Sequence, residues 1–151
     1  MRYILIIASV ILLASPLFGN SHKVENLFGW HTSSGVQLRK FGDSDTHPVY
    51  NGEAENRQPH GMGIMTFPDG RKYIGEYKNG KRHGLGTISY VKGERKGEKY
   101  IGEFKEGKMW SIRKYNVDGK YVGEYKNGLV WNGIVYENGN VIGRWVNGLK
   151  Q

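Results

Sequence analysis

The chain has 151 residues, with 22 Lys and Arg against 14 Asp and Glu, 23 glycines and no cysteine. That length holds one ordinary domain or one short repeat array and excludes a large two-domain enzyme. The absent cysteine excludes a disulfide framework or a lipidated cysteine anchor, and the formal charge of +8 suits anionic partners but more commonly keeps a protein soluble.

The first 21 residues, MRYILIIASVILLASPLFGNS, hold one positive charge at Arg2, an apolar run from Tyr3 to Ala14, a break at Pro16 and small residues Gly19 and Ser21. They read as a secretory signal peptide cleaved after Ser21. If the segment is retained instead, it is an anchor, although it falls short of the roughly 20 apolar residues that span a bilayer. Either way the remainder is expected to be exported, whether periplasmic, cell-surface or secreted, and nucleic acid is not an expected partner.

Residues 22 to 49 are expected to form an N-terminal cap hairpin and linker. NLFGWHTSSGVQLRKFG turns at Ser33-Ser34-Gly35, and Leu27, Trp30, Val36, Leu38 and Phe41 supply apolar contacts. The Gly, Asp, Ser and Pro content of Gly42 to Pro48 marks a loop.

From Tyr50 onward the chain repeats itself. Units begin at Tyr50, Tyr73, Tyr100, Tyr121 and, truncated, Val141, at spacings of 23, 27, 21 and 20 residues. Such a period marks an array in which each unit is one supersecondary element. Asn79-Gly80, Glu106-Gly107, Asn127-Gly128 and Asn147-Gly148 divide the units, while Asp69-Gly70, Asp118-Gly119 and Asn138-Gly139 close them. These dipeptides signal type I′ hairpin turns, so each unit is expected to be one β-hairpin. Period-two alternation puts Tyr73, Gly75 and Tyr77 on one face with Gly86, Ile88 and Tyr90. Tyr100, Gly102 and Phe104, then Tyr121, Gly123 and Tyr125, then Val141, Gly143 and Trp145 continue that stripe. The glycine between two aromatics leaves room for rings to lean in from neighbouring strands. The expected fold is all-β, an elongated antiparallel single-sheet meander of hairpins over residues 50–151.

The recurring YxGExxxGxxHGxG resembles the MORN repeat (membrane occupation and recognition nexus), over about Tyr50 to Gly148. Units one and two carry His-Gly-x-Gly in full, whereas Trp110-Ser111 and Trp131-Asn132 replace His-Gly in units three and four. The resemblance implies a curved sheet of hairpins used for binding or scaffolding, with no catalytic centre of its own.

The residues themselves point the same way. His60 and His83 are equivalent to Trp110 and Trp131, and an indole nitrogen only donates, so a metal ligand or general base is not what the position requires. His31 with Ser33 and Ser34 is too local for a nucleophilic pair. The recurrent Glu53, Glu76, Glu103 and Glu124 invite a paired-carboxylate reading, but their fixed place on the polar face is better explained by cross-strand ion pairs with Lys or Arg. Gly61-x-Gly63 and Gly84-x-Gly86 open no helix and are not phosphate loops. No cofactor, metal or catalytic residue is therefore expected.

What remains is surface. The longest spacing exposes an insertion, Val91 to Lys99, read as a projecting basic tip with Lys92, Arg95, Lys96 and Lys99. With Tyr77, Phe104, Tyr125 and Trp145 of the aromatic face, these four are the candidate binding residues. The expected partner is a protein or envelope surface, with weak attraction to an anionic membrane; the alternative is a carbohydrate-binding module using the rings as a stacking platform.

Overall fold

In the computed structural model the described residues are 26–137 and 140–151. The segment read as a signal peptide and the Asn138-Gly139 turn lie outside them. The described residues form twelve strands and no helix. The strands are β1 (Leu27–Thr32), β2 (Gly35–Arg39), β3 (Val49–Glu55), β4 (Gln58–Thr66), β5 (Arg71–Lys78), β6 (Lys81–Tyr90), β7 (Lys99–Lys105), β8 (Lys108–Tyr115), β9 (Tyr121–Lys126), β10 (Leu129–Glu137), β11 (Asn140–Val146) and β12 (Leu149–Lys150). They make one open antiparallel sheet in the order β12-β11-β10-β9-β8-β7-β6-β5-β4-β3-β1-β2. It is the expected meander of hairpins, one per repeat.

The dividing turns are type I′. Asn79 and Gly80 have φ of 49° and 75°, and the Glu106, Asn127 and Asn147 turns repeat that pair of positive values. A fifth such turn, Asn56-Arg57, has φ of 50° and 58° and escaped the sequence pattern because it contains no glycine. The closing turns are of another kind. At Pro68-Asp69-Gly70 only the glycine takes a positive φ (86°), the Gly70 N–H donates to Phe67 O (3.0 Å), and the Phe67 N–H donates to Arg71 O (2.8 Å). A longer turn ending in a left-handed glycine thus replaces the two-residue turn that Asp-Gly suggests. Arg57 carries a Cβ where its four counterparts have none, and a left-handed residue with a Cβ costs roughly 1–2 kcal/mol. Arg57→Gly is therefore expected to stabilise the first repeat by up to about 1 kcal/mol, part of the gain being lost to the greater freedom of glycine when unfolded. A higher urea midpoint measures it.

One face of the sheet is the core. Tyr50, Tyr73, Tyr77, Tyr100, Phe104, Met65, Ile88 and Ile112 are buried there, joined by Val36 and Leu38 from the first hairpin. The Tyr73 ring meets Tyr77 and Phe104 edge-on, with centroids 5.0 and 5.1 Å apart. The alternation reading holds: Tyr73, Gly75 and Tyr77 point into this core, and Ile74, Glu76 and Lys78 point away. The glycines do make room for rings, because a Cβ on Gly63 or Gly86 would collide with the ring of Tyr50 or Tyr73. Each of these rings thereby reaches the main chain of its own strand three residues on: Tyr50 Oη donates to Glu53 O (2.5 Å) and Tyr73 Oη to Glu76 O (3.0 Å). Burial pushes the Tyr50 hydroxyl up to about 12 and raises those of Tyr73, Tyr77 and Tyr100 as well, so all four stay protonated.

The core thins toward the C-terminus. In the third unit Ile112 pairs with Gly102 where the earlier units pair glycine with glycine. Ile112 fills the space, and the Tyr100 hydroxyl turns instead to Arg95 and Glu98. Among the described side chains of the fourth unit Tyr121 is exposed and Tyr125 alone packs against the core, so the expected aromatic stripe does not continue intact there.

The first hairpin is placed in a way its sequence does not announce. β1 lies between β2 and β3, joined to β3 by only the Leu27↔Tyr50 and Phe28↔Val49 pairs. β2 then runs along the rim of the repeat turns, where the Leu38 N–H donates to Arg57 O (2.7 Å) and the Val36 N–H to Gly80 O (2.9 Å). Val36 and Leu38 are thereby set into the array core, while Phe41 remains exposed.

Candidate functional site

The His-Gly-x-Gly motif is a backbone device. In the first unit Gly52 pairs with Gly63 and Ala54 with Pro59, so Glu53 alone faces His60, Gly61 and Met62. The second unit repeats this wide bulge, with Glu76 facing His83, Gly84 and Leu85. Gly61 and Gly84 turn the corner at φ of 69° and 57°. The glutamates then close the bulge: Glu53 Oε1 accepts the Met62 N–H (3.0 Å), and Glu76 Oε1 accepts the Leu85 N–H (2.9 Å). A Cβ on Gly61 or Gly84 would lie 2.6 or 2.5 Å from that carboxylate. The glycine therefore serves two needs at once, a left-handed φ and room for the acid.

This corrects the expectation of cross-strand ion pairs for Glu53 and Glu76, whose carboxylates bind backbone rather than Lys or Arg. The sequence could have shown it through the linkage of the two features: units with His-Gly-x-Gly have the wide bulge, and units with Trp lack it. In the third unit Glu103 pairs with Ser111 and Phe104 with Met109, leaving only Trp110 extra; Trp131 is the extra residue in the fourth. There Glu124 accepts from Asn132 Nδ2 (2.8 Å) instead of from backbone, and Lys126 Nζ lies 3.8 Å from the carboxylate on the same strand.

Removing the acid should cost the backbone its partner. Glu76→Ala is expected to destabilise by about 1 kcal/mol, and Glu76→Gln, which keeps an acceptor, by less than half of that. Denaturant unfolding measures the first, and faster hydrogen exchange at the Leu85 amide in the Ala variant assigns it to the bulge.

The histidines flank these bulges. His60 Nδ1 is 3.4 Å from Glu55 and His83 Nδ1 is 3.6 Å from Glu106 on the next repeat's turn. Their equivalents Trp110 and Trp131 lie under Lys105 and Lys126, each with Nζ 4.6 Å from the ring centroid. The position packs a ring beside the turn and takes its charged neighbour from wherever one is within reach. Among the described residues no cluster of three or more His, Asp or Glu is arranged to hold a metal ion.

The insertion is tied at its base, where the Gly97 N–H donates to Tyr90 O (2.9 Å) and the Val91 N–H to Gly70 O (2.8 Å), while residues 91–96 stand exposed. Arg95, still part-exposed, lays its guanidinium 3.9 Å above the Tyr90 ring, pairs with Glu98 at 2.8 Å and hydrogen-bonds Tyr100 Oη. Lys114 Nζ adds a second cation 3.5 Å from Glu98, and these contacts hold the Glu98 carboxyl below its ordinary range against the opposing effect of burial. Lys92, Lys96 and Lys99 are exposed alongside Arg95, whose charge is shared with Glu98.

The aromatic candidates are divided as well. Tyr77 and Phe104 are only 4% and 1% exposed and belong to the core, Tyr125 is half-buried, and Trp145 is half-exposed with Lys150 Nζ 5.6 Å from its ring. A stacking platform built on Tyr77 and Phe104 has no open ring face.

A search of curated proteins returned no match. The model of the MORN repeat family matches residues 50–70, 73–95 and 100–111. The third match stops one residue before Ile112, where the glycine that admits the tyrosine ring is lost. The matches thus fall on three successive hairpins of this sheet, the third in part, and the first two carry the complete glutamate-closed bulge.

Proposed function

We propose that the protein is an exported, non-enzymatic binding or scaffolding module that holds a protein partner against its open sheet. One observation carries this reading. Among the described residues no layer packs on the face opposite the core, and Met62, Leu85, Val122 and Ile134 stand exposed on it in the first, second and fourth repeats. Apolar side chains aligned over that distance are the kind of surface that proteins reserve for association. The match to MORN repeats, which generally serve as binding or scaffolding modules, supports the same reading.

Export rests on the character of residues 1–21, and residues 22–49 and 50–151 are taken as hairpin-plus-linker and array. Weak attraction to an anionic surface falls to Lys92, Lys96 and Lys99, since Arg95 is neutralised by Glu98. The deciding experiment is crosslinking and affinity capture from envelope extracts with the wild type and a Met62→Asp, Leu85→Asp double variant. A stoichiometric partner lost in the variant, whose circular dichroism is unchanged, is the expected result. Equal capture by both proteins removes this face from the function, and a mature chain that still begins at Met1 removes the cleaved leader.

A further inference from the structure

Three of the type I′ turns that divide the repeats are Asn-Gly, at Asn79-Gly80, Asn127-Gly128 and Asn147-Gly148. The dipeptide carries a reaction of its own, because glycine has no side chain to keep its nitrogen away from the carboxamide of the residue before it. The surroundings of that nitrogen differ among the three. Gly80 is buried, its N–H donates to Pro59 O (2.9 Å), and its carbonyl accepts the Val36 N–H (2.9 Å). The Gly148 N–H donates to Trp131 O (2.8 Å), and the Asn147 N–H to Asn132 Oδ1 (2.9 Å). Gly107, after Glu106, keeps the same kind of bond, to Arg82 O (2.9 Å). In the second, third and fifth units the glycine N–H thus ties its turn to the repeat before it. The fourth unit breaks the pattern. The Gly128 N–H has no acceptor among the described residues, Asn127 and Gly128 are both exposed, and a Cβ on Gly128 would meet nothing nearer than Met109 O at 3.7 Å.

Asn51 and Asn132 also precede glycines, but inside strands. Asn51 stands in the β3–β4 ladder, and the Asn132 carboxamide is held at both ends, Nδ2 on Glu124 (2.8 Å) and Oδ1 on the Asn147 N–H.

We propose that Asn127 is a self-modifying site, converted through a succinimide to isoaspartate, while the fold protects Asn79 and Asn147. The Gly128 nitrogen attacks Cγ of Asn127 and forms the N–Cγ bond. The Cγ–Nδ2 bond breaks, and Nδ2 leaves as ammonia with the proton that the Gly128 nitrogen gives up. Water then opens the ring. Cleavage at the Asn127 carbonyl carbon leaves isoaspartate, whose main chain runs through Cβ and Cγ, and cleavage at Cγ leaves aspartate. Water is the co-reactant, and nothing is oxidised or reduced.

Closing the ring requires Asn127 to leave its left-handed conformation (φ 51°), so the rate follows the population of the open turn. Each hydrogen bond that must break first lowers that population by roughly three- to tenfold. Such bonds to the rest of the array hold the Asn79 and Asn147 turns, and the Asn127 turn has only those of its own hairpin. The product adds a carboxylate and a main-chain carbon to a two-residue turn, which loosens the β9–β10 pair where the core already thins.

The test incubates the whole chain in mildly alkaline buffer and then cuts it at glutamate, which separates the 125–137 peptide from those holding Asn79 and Asn147. Fragmentation that distinguishes isoaspartate from aspartate assigns the product to Asn127 or Asn132. Asn127 is expected to react about tenfold faster than Asn79 or Asn147, as the bonds that hold those turns require. In denaturing urea the lead over Asn79 should vanish, because both asparagines stand between a lysine and a glycine. Tyr73→Ala, which opens the second repeat, should speed Asn79 relative to Asn127. Asn127→Gly, which keeps a left-handed turn, should remove isoaspartate from the 125–137 peptide. Equal native rates at the three turns, isoaspartate arising first at Asn79, Asn132 or Asn147, or a lead over Asn79 that survives in urea overturns the proposal.

Discussion

Tyr73→Ala is expected to cost about 3–5 kcal/mol, the range for removing a large buried ring. Tyr73 is 0% exposed and stands at the centre of the aromatic cluster, edge-on to both Tyr77 and Phe104. Its ring also covers Gly75 and Gly86, so truncation empties a space that no neighbouring side chain can enter. Because each repeat contacts only its neighbours, the loss should appear as early unfolding of the second and third repeats rather than as a uniform shift. Hydrogen exchange read repeat by repeat, together with thermal unfolding, measures both aspects. Milder variants separate ring from hydroxyl. Tyr73→Phe removes the donor to Glu76 O and should cost about 1 kcal/mol. Tyr77→Phe deletes a hydroxyl that has no partner and should be neutral or stabilising. A loss for Tyr77→Phe equal to that for Tyr73→Phe would mean that the second hydroxyl is also satisfied.

Which parts of this were legible in the sequence follows from the range of the interactions involved. The faces of the strands were readable because side-chain alternation is local, and the Asn-Gly turns because glycine marks a positive φ. Asn56-Arg57 was invisible for the complementary reason: the backbone takes the same turn without the residue that advertises it. The role of Glu53 and Glu76 was misread because an exposed acid beside basic residues suggests an ion pair, whereas its actual partner is an N–H nine residues on, brought near by a bulge that alternation cannot express. Arg95 looked like one of four equivalent loop cations. Its two rings and hydroxyl partner come from Tyr90 and from a Tyr100 whose hydroxyl turns away from the position Ile112 fills, which one residue's identity does not announce. The placement of β2 was out of reach altogether, since it meets the Asn79-Gly80 turn across 44 residues of chain, from Val36 to Gly80.

Gly75→Ala tests the other half of the ring-and-glycine arrangement and is expected to destabilise by about 3 kcal/mol, the upper end for overpacking by one methyl group. The added Cβ would lie 2.5 Å from Gly86 Cα and 2.6 Å from Leu85 O, with Tyr73 Oη at 2.7 Å. Tyr73 could move only by giving up its bond to Glu76 O, and the first two atoms are backbone held in the β5–β6 ladder. Relief thus requires the strands to separate where the bulge begins, which draws Leu85 N–H away from Glu76 as well. For a chain of this size that loss corresponds to a fall in Tm of roughly 6–12 °C. The neighbouring Gly107→Ala has the same side-chain change with nothing within 4 Å of the new Cβ, so only its φ of 83° opposes it. That variant should lose only about 1–2 kcal/mol. Unfolding both variants against the wild type distinguishes crowding from backbone strain. If Gly75→Ala proves no worse than Gly107→Ala, the strand pair yields without cost, and the paired glycines are not what fixes the tyrosine ring over the sheet.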